Sequence, residues 1–285
     1  QGSELRSTIE RQIKGFRMNK DVKILIADLH QTGRLRVWSL VMTIMGDVVA
    51  PRGGVISMAD LLAITEMLGI ENGAVRTAMS RLSKEGWVKG QRQGRVSFYE
   101  FGPKGLADYA PATQRIYALE PPYADSSWIV AILPTARDVV GPRPLLRRST
   151  MAVWLAENAP TEQALADVDA MIFRAGLKTL PDWVLSEAGV GTFIDELSNI
   201  TNKYTRLEHV SLSPQEALLT RILLIHDWRR LALRHPNLPV DFEPYFVAAG
   251  AARAKIGSIY GSLIKPSEAY WPNQTASGLE SRFQP

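Results

Sequence analysis

Between Asn72 and Ser97 stand six basic residues, Arg76, Arg81, Lys84, Lys89, Arg92 and Arg95, against one acid, Glu85. The whole chain of 285 residues carries a formal net charge of only +4, so the positive excess is concentrated here. Binding to a phosphate backbone needs such a face, because affinity comes largely from release of condensed counterions. The spacing adds a second chemistry. At 3.6 residues per turn, Thr77, Ser80 and Lys84 fall on one helix face, with Arg76 and Arg81 on its flanks. Val75, Ala78, Met79 and Leu82 fall on the opposite face. Hydroxyls and a guanidinium on a helix are the groups that reach base edges in a major groove. Arg92 and Arg95 flank Gly94 and suit phosphate or minor-groove contact. The competing reading is a solvated helix face and an ordinary basic hairpin.

Other chemistries have little support. The chain has no cysteine, which excludes disulfides, thiolate metal sites and thiol catalysis. No two of the four histidines, His30, His209, His226 and His235, have the i, i+4 spacing of a helical metal site. There is no GxGxxG, P-loop or nucleophile elbow, and no cofactor or metal is expected. Asp167 and Asp169 are the one carboxylate pair that suggests a metal-dependent nuclease. Such a pair beside a strand more often caps a turn, and the chain is expected not to be an enzyme.

The basic residues need elements to hold them. Ser57 can cap a helix whose Met58, Leu61, Leu62, Ile64, Met67 and Leu68 recur at helical spacing, with Gly69 ending it. Asn72 can cap the next helix, and Gly86 stops it. Trp87–Gly90 and Arg95–Phe101 then read as two strands turned at Gly94. Helix, tight turn, helix and basic hairpin make a winged helix-turn-helix, which places its second helix in the DNA major groove.

With 46% hydrophobic and 22% charged residues the chain can bury real cores, and its length suggests two or three domains. No run approaches 18 apolar residues, so no membrane span is expected. An apolar secretory segment is not expected either, and the cytoplasm is the expected location. The pattern divides the chain into a helical extension over 1–33, the DNA-binding domain over 34–110, a linker over 111–127, a central domain over 128–200 and a helical domain over 201–285. Leu5, Ile9, Ile13 and Phe16, then Val22, Leu25, Ile26 and Leu29, form helical stripes in the extension, with Gly33 ending the second. Val37, Leu40, Val41, Ile44 and Met45 form another. Pro111, Pro121 and Pro122 mark the linker. The central domain opens with a strand at Trp128–Leu133, a turn and helix over Thr135–Arg148, and strands at Thr150–Ala156 and Val168–Ala175. That rhythm suits a ferredoxin-like α+β fold. A helix follows over Phe193–Leu207. Ser213-Pro214-Gln215-Glu216 is a capping box starting a long helix to about Arg234. A last helix, Val247–Ile264, is rich in alanine and glycine.

Two stretches resemble the phenylacetic-acid-responsive (PaaX-type) repressors. MGDVVAPRGG, VRTAMSRLSKEGWV and GRVSFY resemble that family's reader and wing. ILLIHDWRRLALRHPNLP resembles its C-terminal signature, with His235 where the signature has Asp. The resemblance implies an α+β, multidomain protein with an N-terminal winged helix-turn-helix, a central ferredoxin-like (Cas2-like) α+β domain and a C-terminal helical domain. It implies a homodimeric bacterial transcriptional repressor of aromatic-acid catabolism. Such a repressor leaves double-stranded operator DNA on binding an aryl-CoA thioester such as phenylacetyl-CoA. The alternatives are a Cas2-like metal-dependent nuclease and a constitutive DNA-binding protein without an effector.

The long C-terminal helix bears on the effector. On a helical wheel Leu218, Ile222 and Ile225 share a face, with Arg229 in its middle and His226 at its edge. Burying a guanidinium costs several kcal/mol unless it is paired. Arg229 is therefore expected either in an ion pair between the central and C-terminal domains or as an anchor for an anionic effector. In the second case the effector lies between those domains. His226, Arg229 and Arg230 would meet its phosphates, and Trp228 with Trp128 and Trp154 its acyl end.

Overall fold

The computed structural model describes residues 18–31, 35–121, 126–234, 238–271, 278–279 and 282–283. The expected helix over Glu4–Phe16, the stop at Gly33 and His235 lie outside the described residues. Among those residues there are two antiparallel sheets, one of three strands and one of four. The chain forms two compact units. The first contains residues 1–119, 200–233 and 254–285; the second contains 120–199 and 234–253.

The first unit opens with α1 (Lys20–Gln31), which buries Val22, Leu25, Ile26 and Leu29, the expected stripe. Next, α2 (Val37–Thr43) runs without a break into a π-helical turn, Ile44–Val49, and a short 3₁₀ turn, Ala50–Arg52. Gly53 and Gly54, at φ of 79° and 75°, end it in a conformation that only glycine adopts freely. A short strand β1 (Ile56–Ser57) leads into α3 (Met58–Met67). The Ser57 hydroxyl accepts from the Asp60 amide at 3.0 Å, the expected cap. Gly69 ends α3 at φ 72°. Helix α4 (Asn72–Lys84) starts one residue earlier than an Asn72 cap implies: Glu71 holds the cap position and Asn72 is the first helical residue. It buries Val75, Ala78, Met79 and Leu82.

The hairpin is longer than the sequence suggested. Strands β2 (Val88–Gln93) and β3 (Val96–Phe101) pair from Val88↔Phe101 to Gln93↔Val96 around Gly94. Strand β1 adds to the other edge of β3, pairing Ile56 with Tyr99. Gly90 lets the Tyr99 ring opposite pack closely, since a Cβ would sit 3.0 Å from it and the ring would have to shift.

Helix α5 (Pro103–Tyr117) corrects the expected linker, whose first half it absorbs with Pro111 inside it. One proline removes one backbone donor. Ile116 and Tyr117, both nearly fully buried, hold the last turn in place regardless. The first unit also takes in the end of α8 (Val190–Thr205), most of α9 (Pro214–Arg234) and the second half of α10 (Glu243–Glu268). The capping box at α9 is formed, with the Glu216 carboxylate accepting from the Ser213 amide at 2.8 Å. Between Ala217 and Trp228 every α9 side chain except Asp227 is buried, so α9 is its core helix.

The second unit is built on the strands β4 (Ser127–Ile132), β5 (Leu146–Arg148), β6 (Met151–Leu155) and β7 (Met171–Gly176), in the order β5-β6-β4-β7 with every neighbour antiparallel. The expected helix over Thr135–Arg148 is absent. Pro142 and Pro144 fix φ and remove donors, so this stretch is a loop ending in β5, tied down by the Trp154 indole donating to the Pro142 carbonyl at 2.9 Å. One sheet face, with Ile129, Ala131, Ala152 and Trp154, packs with Leu165 of the short helix α6 (Glu162–Ala166). On the other face Trp128 stacks on Phe242 at 6.0 Å. A further short helix, α7 (Asp182–Glu187), precedes α8.

Candidate nucleic-acid interface

The seven basic and hydroxyl residues singled out above all lie on the surface of the first unit. Arg76, Thr77, Ser80, Arg81 and Lys84 are exposed on α4, and Arg92 and Arg95 are exposed in the β2–β3 hairpin. The helix presents them because its opposite face is spent on Val75, Ala78, Met79 and Leu82. A groove runs between helix and hairpin, and Arg76, Ser80, Lys84, Gln91, Arg92 and Tyr99 line it. Both rims of this groove are therefore cationic. Thr77, Arg81 and Arg95 stand outside its lining.

Several of these groups already have partners within the first unit. The Arg81 guanidinium donates to the Glu85 carboxylate at 2.7 Å, and both are well exposed. This hydrogen bond holds the Glu85 carboxyl below its ordinary value. An exposed pair of this kind contributes little to stability and is easily broken. The Thr77 hydroxyl donates to the Gly73 carbonyl at 2.9 Å, within its own helix. Arg92 Nε donates to the Gly94 carbonyl at 3.2 Å, across the hairpin turn. Lys89 faces Glu100 on β3 at 3.7 Å.

The four residues proposed for an effector are distributed differently. His226 lies on α9 with its Nδ1 3.0 Å from the Thr43 hydroxyl of α2. Burial pushes its imidazole down to about 4, so the ring is neutral. Arg229 donates to the Ser39 carbonyl at 2.8 Å and to the Thr43 hydroxyl at 3.0 Å. Burial lowers its guanidinium from the ordinary value. Trp228 turns to α5 and donates to the Ile116 carbonyl at 2.7 Å. Arg230 is exposed. The structure thus brings His226 and Arg229 together on Thr43, keeps the exposed Arg230 near enough to act on both electrostatically, and turns Trp228 away toward α5. Asp167 and Asp169 are exposed in the turn between α6 and β7, where Asp167 accepts from Gln163 at 2.7 Å and Asp169 adopts φ 52°. No cluster of three or more His, Asp or Glu side chains suited to a metal occurs among the described residues.

The sequence reading missed the largest polar feature of the first unit. Asp47, in the π-helical turn, is 1% exposed and accepts four side-chain donors. These are Arg221 Nε at 2.8 Å, Arg282 at 2.8 Å, the Tyr117 hydroxyl at 2.6 Å and the Tyr260 hydroxyl at 2.9 Å. Arg221 is fully buried; it also donates to the Asp47 carbonyl and, at 2.7 Å, to Glu268. Glu268 in turn pairs with Arg52. Burial alone would raise the Asp47 carboxyl, but Arg221 and Arg282, with the two tyrosines, hold it below its ordinary value. Two signals pointed here: an Asp inside the apolar run VMTIMGDVV and an Arg amid LLTRILLI. Each demands a buried partner, but the spacing does not say which.

Two family models match the chain. One, described as PaaX-like protein, matches residues 36–105; the other, described as PaaX-like protein C-terminal domain, matches residues 185–273. Asp47 falls in the first matched segment, and Arg221, Tyr260 and Glu268 in the second. The transcriptional repressor PaaX of Escherichia coli strain K12 is 31% identical over 260 residues, covering 81% of this chain and 82% of that relative. A solved structure of an uncharacterized protein from Mycobacterium tuberculosis is similar with a TM-score of 0.50 at 13% identity, over 81% of this chain and 97% of that one. At that identity the likeness concerns the fold alone.

Proposed function

The chain belongs to the PaaX-like family, and from that premise we propose that it is a transcriptional repressor that grips operator DNA with α4 and the β2–β3 hairpin. The observation that carries this reading is the groove between them, with cations on both rims. In this reading α3 and α4 form the helix-turn-helix and the hairpin is its wing. Thr77, Ser80 and Arg81 face base edges, Arg76 and Lys84 flank them, and Arg92 and Arg95 take phosphates or the minor groove. The test is fluorescence anisotropy on the DNA upstream of the protein's own gene. Affinity falls with salt by about 0.9 log unit per log unit of salt for each phosphate neutralised. A protein whose affinity for that DNA equals its affinity for scrambled DNA is not this kind of repressor.

One reader covers too few bases for useful specificity, so the proposed repressor acts as a two-fold dimer on half-sites about one turn, roughly 34 Å, apart. The surface of the second unit supports this. Strand β7 is an edge with no further strand beside it among the described residues, and Met171, Ile172 and Phe173 on it are 54%, 43% and 47% exposed. An apolar edge of this kind is a template for pairing with another copy. The order β5-β6-β4-β7 suits a ferredoxin-like sheet whose first crossover helix is replaced by the proline-bearing loop.

The proposed effector is an aryl-CoA thioester, with Arg229 and Arg230 as its cationic anchors. An anion that draws Arg229 away takes two donors from Ser39 and Thr43 on α2. That would couple effector binding to the helix on which the reader is built. To cut operator occupancy tenfold the effector must favour the non-binding state by about 1.4 kcal/mol. Among the described residues no helix is long and apolar enough to cross a membrane.

A further inference from the structure

The Asp47 cluster is closed by Arg282 and Phe283, which belong to no helix or strand. Arg282 and Phe283 lie against α5, α10 and the π-helical turn. Leu279 and Phe283 are 3% and 7% exposed, and the Arg282 side chain 9%. Arg282 makes four polar contacts there. One nitrogen donates to Asp47 at 2.8 Å and to the Tyr117 hydroxyl at 2.9 Å. The other donates to the Gly46 carbonyl at 3.2 Å and the Tyr109 hydroxyl at 3.1 Å. Its guanidinium also lies 4.4 Å from the centre of the Tyr117 ring. Phe283 packs its ring against Tyr117 at 5.1 Å and Tyr260 at 5.4 Å.

The cradle fits this pair closely. A Cβ placed on Gly257 of α10 would come to 3.0 Å from the Phe283 Cβ, so any larger residue there would have to push Phe283 aside by a few tenths of an ångström. Phe283 sits at φ 57°, a conformation uncommon for a bulky residue. The cradle, not the local backbone preference, therefore sets its position. Beside the segment the cleft stays open, lined by Ala50, Pro51, Tyr109, Thr113 and Gln114 along with Arg282 and Phe283.

Where the segment docks matters more than how tightly. Gly46 and Asp47 lie just ahead of β1, and Tyr109 and Tyr117 lie on α5, which follows β3 directly. Arg282 thus bonds to both flanks of the stretch Ile56–Phe101, and Phe283 ties them to α10. We propose that the Arg282–Phe283 pair is a latch, and that its cradle is a site for a cationic–aromatic dipeptide whose occupancy fixes the arrangement of α4 and the hairpin. With the latch docked, the flanks are cross-linked and the groove is pre-organised. With the latch out, Asp47 keeps Arg221, Tyr117 and Tyr260 but loses Arg282, and Tyr109 is left with only its 3.4 Å bond to the Gly46 carbonyl, so the flanks are held by fewer bonds and loosen. The effect on operator affinity rests on the DNA-binding reading above; the docking and its effect on the flanks do not.

The chain has no cysteine of its own, so the latch can be worked with an engineered pair, Gly257→Cys with Phe283→Cys. Oxidation locks the segment onto α10 and reduction releases it, in one and the same protein. Two readouts follow. The first is hydrogen exchange of the amides in Ile44–Val49 and the α5 helix. It should quicken about tenfold or more on reduction and return to the wild-type rate on reoxidation. The second is operator affinity, which should fall about tenfold on reduction and recover on oxidation. Arg282→Gln in the otherwise unaltered chain should reproduce the reduced state in both readouts, with the thermal midpoint still well above the assay temperature. If the two thiols do not join under a mild oxidant and Arg282→Gln also leaves exchange in Ile44–Val49 and α5 unchanged, the segment is not docked in solution and the latch is wrong. Equal exchange in the oxidised and reduced proteins overturns it whatever happens with DNA. Altered exchange with no specific operator binding in any form leaves the latch standing and removes the DNA-binding reading. Altered exchange with operator affinity unchanged between the two forms overturns its control of the reader.

Discussion

Replacing Asp47 with asparagine changes almost no volume but removes the one full negative charge at the centre of the buried cluster. Four donors converge on that carboxylate, and its partner Arg221 has no exposed surface. Asparagine offers a single acceptor oxygen to those four donors, and its amide adds two donors of its own. Arg221 keeps Glu268 as a counter-charge, but Arg52 shares that carboxylate. Breaking a buried pair on one side costs about 3–5 kcal/mol, because the remaining charge stays desolvated. Spread over a unit of this size, at about 2–4 °C per kcal/mol, that lowers the thermal midpoint of the first unit by roughly 6–20 °C. The assay is scanning calorimetry at neutral pH, with Arg221→Met and the double variant beside it. Removing both partners takes away the stranded charge, so the double variant should melt above Asp47→Asn. The pH dependence has a definite sign. The folded carboxyl lies below its ordinary value of 3.8. Its contribution is therefore full above the unfolded pKa and is lost as pH falls through the folded one. The wild type should lose stability steeply below about pH 4, and the variant should lack that part of the slope. A variant that melts with the wild type, or a double variant that is simply the sum of the singles, would refute the reasoning.

Other substitutions address the surface. Neutralising Arg92 and Arg95 together should weaken binding to all DNA sequences and flatten the salt slope by about one to two units; an unchanged slope removes the hairpin from the interface. Arg81→Ala should lose about 1–3 kcal/mol at one base pair if Arg81 reads a guanine, seen as relaxed preference in a panel of operator variants. Arg229→Gln should leave operator binding near normal and make it insensitive to aryl-CoA if Arg229 anchors the effector. If its bonds to Ser39 and Thr43 are its whole role, melting should fall by an amount equivalent to about 1.5–3 kcal/mol and binding with it. A stable Arg229→Gln protein that responds normally would exclude both. Phe173→Glu should convert a dimer to a monomer in light scattering; a dimer that persists places the interface away from β7.

What was legible in the sequence was local. Ser57, Gly69, Gly86 and Gly94 each do what their chemistry allows at one position, and the helix and hairpin bounds follow from them to within a few residues. The exposed face of α4 was legible for the same reason, since one apolar stripe fixes which side is left for solvent. The errors came where a distant contact outweighed a local preference. Pro111 announced a linker, yet α5 continues because Tyr117 at its end donates to Asp47, 70 positions away in sequence. Arg229 was read against the neighbours on its own helix, but its hydrogen-bond partners are on α2. Arg221 escaped notice because an arginine at a helical position among leucines looks the same whether it snorkels to water or meets a carboxylate. Only the fold brings Asp47 opposite it. The two residues imply each other physically: neither could be buried alone, and each was a visible anomaly in an apolar run. The sequence therefore held the question of where their charges go, and the answer depended on contacts 174 positions apart.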